Sequence, residues 1–149
     1  ELRAAVAPYT GGGYMHTTDD RTPVTFITRY YLDKIKRLCD AHGTKLLFVT
    51  APSPVNHTMQ RHNEVQALAD ALAVPYLDLN LNTEELGIDW NLDTLDGGDH
   101  LNYTGCQKAT AYLQRYMQTH YTLPDRRDDV RYEAWNKQAE EFEKLLPQP

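Results

Sequence analysis

The residues best equipped for chemistry lie in Asp96-Gly97-Gly98-Asp99-His100-Leu101-Asn102-Tyr103-Thr104-Gly105, where a histidine flanked by acids sits on a glycine-loosened turn before a predicted helix. A histidine takes a hydroxyl proton near neutral pH when a carboxylate holds its ring, fixing the tautomer and stabilising the imidazolium. His100 is therefore a candidate general base, with Asp96 or Asp99 as its orienting acid. The nucleophile such a base would serve is hard to find. The only serine is Ser53, wedged between Pro52 and Pro54. It lacks the sharp glycine-flanked turn between strand and helix that exposes a catalytic serine, and the prolines stiffen its backbone.

Other polar residues have simpler uses. Asn102, just before a helix, is placed to cap its unpaired N–H groups. His57, His62 and Asp78 suggest a metal only weakly. A five-residue step puts two histidines on different faces of a helix, unlike the four-residue step of zinc-binding helices. The ten tyrosines suit a sugar-binding groove, but Tyr30, Tyr112 and Tyr116 fall at helix core positions, so core packing is their default. Cys39 and Cys106 lie far apart in predicted helices and read as buried free thiols; a disulfide between them would depend on geometry that spacing does not give.

With 149 residues the chain fits one domain. A net charge of −6 argues against nucleic-acid binding, which calls for a basic face. Lys34, Lys36 and Arg37, like Arg126 and Arg127, alternate with acids and read as solvated surface. No stretch reaches membrane-spanning length, and no signal peptide is recognisable. The chain opens on Glu1 rather than methionine, so a cut piece of a longer protein, with any leader lost, is expected.

The elements that must position these residues follow from periodicity. Residues 1–23 contain Gly11-Gly12-Gly13 and Pro23 without a sustained repeat, and read as irregular chain. Over residues 24–42, Phe26, Ile27, Tyr30, Tyr31, Ile35 and Leu38 recur at helical spacing, with Gly43 as a stop. The apolar run over residues 45–51, ended by Pro52 and Pro54, predicts a central parallel strand buried on both faces. Residues 63–72 predict a helix, residues 74–79 a second strand, and residues 80–99 a long polar loop. Residues 103–120 predict a third helix and residues 129–146 a fourth, packed on the body through its aromatics. Alternating helices and strands imply a parallel sheet with helices on both faces. Two strands make too small a sheet for that architecture, so further strands are absent from this chain or supplied by another.

These residues resemble the C-terminal part of an SGNH/GDSL-type hydrolase, in the form found in bacterial cell-envelope members. Residues 43–54, with Leu47-Phe48-Val49-Thr50-Ala51-Pro52, resemble a late central strand and the loop after it. Residues 75–79 resemble the last short strand, and residues 96–108 the final block, in which an aspartate and a histidine precede a helix. The likeness covers residues 26–121, and Leu123-Pro124-Asp125-Arg126-Arg127 with Trp135 is similar to an extension in some bacterial members. It implies a three-layer α/β/α, flavodoxin-like fold over residues 24–121, incomplete here, with a helical extension over residues 122–149. In the family the acid stands three residues before the histidine; that place is Gly97 here. Asp96 is favoured, because Gly97-Gly98 can turn its carboxylate back towards His100, with Asp99 as the fallback. The family's Gly-Asp-Ser nucleophile block and oxyanion-hole residues have no counterpart.

The resemblance thus implies an esterase or O-acyltransferase acting on acylated carbohydrate or other cell-envelope esters, extracytoplasmic, without a cofactor. This chain supplies His100 and Asp96, an N-terminal fragment of the same protein would supply the serine, and the chain alone is expected to be inactive. The competing expectation is a non-catalytic binding or scaffolding domain of the same fold.

Overall fold

The computed structural model describes residues 5–145; Glu1 and Leu146, the outer limits of two predicted segments, lie outside them. The first helix, α1 (Phe26–Ala41), is capped by Thr25, whose side-chain oxygen accepts from the Thr28 N–H. Strand β1 (Phe48–Thr50) follows, then α2 (Met59–Ala71) and strand β2 (Tyr76–Asp78). The strands pair in parallel, with Val49 opposite Leu77 and Thr50 opposite Asp78. Helix α2 begins earlier than its apolar periodicity predicts, because Thr58 accepts from the Arg61 N–H and starts the helix ahead of its first buried turn. Among the described residues the chain is thus mixed α/β with a two-stranded parallel sheet.

The polar loop expected over residues 80–99 is partly structured. A 3-10 turn (Leu79–Asn82) leads into the short helix α3 (Thr83–Leu86), and Leu86 is buried. Helix α4 (Tyr103–His120) matches its predicted limits. Its Ala109, Tyr112, Leu113 and Tyr116 pack on the small core of Leu77, Leu79 and Leu86. A 3-10 turn (Val130–Tyr132) and α5 (Glu133–Lys144) complete the order. None of the described helices is long and apolar enough to cross a membrane.

Several apolar surfaces expected to be buried are open. Helix α1 has no buried residue: Phe26 is 80% exposed, and Tyr30, assigned to the core by its spacing, lies on the surface with Ile27, Tyr31, Ile35 and Leu38. Among the described residues strand β1 pairs with one strand, and Val49, whose side chain stands out of the sheet plane, is 41% exposed, so β1 is not covered on both faces. In the C-terminal helix Phe142 lines a groove against α4 yet is 50% exposed, and Trp135 is 71% exposed, so neither aromatic of that helix is buried on the body. Cys106, expected to be buried, is exposed, and both cysteines are free thiols. The total accessible surface is 10457 Å² for 17.1 kDa. A compact monomer of this mass exposes roughly 7,800 Å².

One contact fixes the helix that follows the candidate site. A Cβ on Gly105 would stand 2.4 Å from the backbone oxygen of Asp93, so only glycine lets α4 approach that turn. Gly105→Ala is expected to cost about 2 kcal/mol by forcing the two backbones apart, read as a lower urea midpoint with an unchanged m-value. An unchanged midpoint would mean that the turn yields freely.

Candidate active site

The turn bearing His100 is a small closed loop. Thr94 and Leu101 form an antiparallel bridge at its base, and Leu95 N–H donates to the His100 carbonyl at 2.9 Å. Thr94, fully buried, accepts from Gly98 N–H at 2.7 Å through its hydroxyl. Gly97 and Gly98 both take positive φ, 75° and 99°, a region costly for residues with a Cβ. At Gly98 a Cβ would also meet Tyr9 and Pro54 within 3.0 Å. The glycine pair therefore reverses the chain, and Asp96 comes back onto His100.

Asp96 holds His100 at two points: Oδ1 accepts from the His100 backbone N–H at 2.7 Å, and Oδ2 lies 2.7 Å from Nδ1. The ring bond, then the backbone bond, holds the Asp96 carboxyl below its ordinary pKa. It is thus the ionised partner over the neutral range. Asp99 is further from the ring, with Oδ2 at 3.7 Å from Nδ1. Asp96, Asp99 and His100 also bring ligand-type atoms within 4.8 Å of one another; Asp96 is there through its hydrogen bond to Nδ1, and Asp99 as the residue next to His100, bonded to Asn56. Asn102 caps α4, its Oδ1 accepting from Gly105 N–H at 3.1 Å, and Asn102 Nδ2 donates to the Leu92 carbonyl at 2.6 Å.

Ser53 is brought to the same place, but not as a nucleophile would be. Its hydroxyl donates to the Asp99 carbonyl at 2.8 Å, and its backbone N–H to Asn80 Oδ1 at 2.9 Å. A cavity of about 380 Å³ opens beside β1, lined by Val49, Ser53, His100, Cys106 and Leu113 among others. The Cys106 thiol on its wall, though the residue is exposed overall, is pushed to higher pKa by partial desolvation, the opposite of what activates a cysteine.

A second carboxylate–histidine cluster lies behind this loop, and spacing did not foretell it. His57 precedes α2 rather than lying on it, so the helical-face argument against a meeting of His57 and His62 does not apply. Both rings reach buried Asp78: His57 Nε2 and His62 Nδ1 each lie 2.8 Å from its Oδ2. The Tyr76 hydroxyl donates to the same oxygen at 3.1 Å. Oδ1 accepts from Asn80 N at 2.9 Å and from Asn80 Nδ2 at 2.8 Å. Burial alone would raise the Asp78 pKa, but the bonds from His57, Asn80 and His62 together outweigh it and hold the carboxyl far below the usual carboxylate range. Asn80, oriented by Asp78, accepts from Tyr14 OH as well as Ser53 N–H. The signal for this cluster in the sequence was the Tyr76-Leu77-Asp78 alternation, which puts Tyr76 and Asp78 on one side of β2.

No family model, curated protein or solved structure matches the chain.

Proposed function

We propose that this chain is the C-terminal part of an SGNH/GDSL-type serine esterase or O-acyltransferase of three-layer α/β/α fold, with His100 as the general base and Asp96 as its orienting acid. The observation that carries the reading is the two-point grip of Asp96 on His100. With Nδ1–H donated to the carboxylate, Nε2 carries the basic lone pair. The open edge of β1, the exposed face of α1 and the excess surface support a fold completed by another polypeptide segment, the N-terminal fragment of the same protein, which would bring the serine.

In this mechanism the serine hydroxyl gives its proton to His100 Nε2 as its oxygen bonds to the ester carbonyl carbon. Backbone N–H groups hold the oxyanion, and the tetrahedral centre collapses as His100 returns the proton to the leaving alcohol. Water or an acceptor hydroxyl then releases the acyl group by the same steps. The substrate class is an O-acylated carbohydrate or other cell-envelope ester, which places the protein outside the cytoplasm. The alternative, a binding or scaffolding domain, draws on the only serine having its hydroxyl committed to a carbonyl.

A fluorophosphonate probe separates them. The isolated 149-residue chain is expected to stay unlabelled, and the parent polypeptide to be labelled on a serine outside it. Labelling of Ser53, or a parent that resists the probe, would overturn the hydrolase reading.

A further inference from the structure

Two loops meet at Asp99. The turn after β1 is stiffened by Pro52, which is buried, and by Pro54, and it is hydrogen-bonded to the His100 turn through Ser53, Val55 and Asn56. Val55 N–H donates to the Gly98 carbonyl at 3.4 Å, Ser53 Oγ to the Asp99 carbonyl at 2.8 Å, and Asn56 Nδ2 to Asp99 Oδ1. The Asn56 end is itself fixed, since its carbonyl accepts from the Arg61 guanidinium of α2 and its N–H donates to the Ser53 carbonyl at 3.2 Å. The Ser53 end is anchored through Asn80 to Asp78. Asp99 is thereby held by its carbonyl and its carboxylate, both directed at the β1 turn.

We propose that Asn56 and Ser53 are positioning residues that hold Asp99 back from His100, so that Asp96 rather than Asp99 hydrogen-bonds its Nδ1. The need is physical. Two carboxylates lie within reach of one Nδ1–H, at 2.7 Å for Asp96 and 3.7 Å for Asp99. A second carboxylate closing on the ring would stabilise the imidazolium and raise the pH at which the base becomes available. An amide donor on one Asp99 oxygen and a hydroxyl on its carbonyl oppose that movement. Among the described residues, the groups bearing on the ring include Asp96 and Asp99 of its own turn, with Cys106 of α4 on the shared cavity wall and Arg61 of α2 behind Asn56.

The inference rests on reading His100 as the base, but its test does not need turnover. The measurement is the titration of the His100 ring by NMR in the 149-residue chain, with the other five of its six histidines as internal references. Asn56→Ala is expected to raise the His100 titration midpoint by about half a pH unit, as Asp99 swings in. Asn56→Ala combined with Asp99→Asn is expected to bring it back to the wild-type value or below, since the Asp99 carboxylate already lies 3.7 Å from the ring. An unmoved midpoint in Asn56→Ala would overturn the proposal. So would a double variant that shifts as far as the single one, since the effect would then be loop loosening rather than a released carboxylate. Ser53→Ala should move the midpoint in the same direction and speed amide exchange at Asp99 and His100; a midpoint left in place would remove Ser53 from the assignment. A midpoint that moves as expected in a parent lacking esterase activity would uphold the positioning role and sink the hydrolase reading.

Discussion

Replacing His100 with alanine in the parent polypeptide should lower kcat/KM for an O-acyl ester about a thousandfold or more, the usual scale for losing a general base that serves a serine. The same change should barely touch stability. The His100 side chain is 67% exposed and Asp96 is likewise in solvent, and an exposed charge-assisted bond contributes little after screening. Loss of rate without loss of fold is the signature to seek, by ester hydrolysis and thermal unfolding on one preparation. Asp96→Asn should follow His100→Ala in direction with a smaller loss, because Nε2 survives but its tautomer is no longer fixed. Asp99→Asn should leave kcat/KM nearly unchanged. Should Asp99→Asn prove the more damaging of the two, the orienting acid would be Asp99.

Asp78 is expected to dominate stability. It is buried and its two oxygens accept from His57, His62, Tyr76 and Asn80. Asp78→Ala leaves these donors without an acceptor in a site closed to water, which costs about 3–5 kcal/mol. That is a large share of the roughly 5–15 kcal/mol that holds a domain together, and the melting temperature should drop by about 10 °C or more. The pH dependence has a definite sign. The folded pKa of Asp78 is depressed, so its contribution is full above the ordinary carboxylate value of about 4 and is lost as pH falls from there through the folded pKa. Stability of the wild-type chain should therefore fall with acidification below about pH 4, more steeply than that of Asp78→Asn. Parallel acid-unfolding curves for the two proteins would remove Asp78 as the buried charge responsible.

Local pattern made much of the site legible. Helix α4 could be placed from its apolar spacing and Asn102 cap, and its limits match. The glycine pair forecast that Asp96 could turn back, because two residues free to take positive φ are what an acid four positions away needs to reach the ring. The meeting of His57 with His62 was not legible, because it depends on where α2 begins and on β2 lying beside β1. Nor was the role of Ser53, since hydrogen bonds from residues 53 and 56 to residue 99 span more than forty positions and leave no periodic trace.

By itself the sequence determined the alternation of helices and strands and marked the candidate residues for chemistry, since these follow from residue type and spacing. The tertiary structure decided what is covered. It left the faces of α1 and β1 open, exposed Cys106 and Trp135, and closed Asp78 and Thr94 away from water. An amphipathic pattern states which face would gain from burial, but burial itself requires a partner surface, and partners are brought together only by the fold.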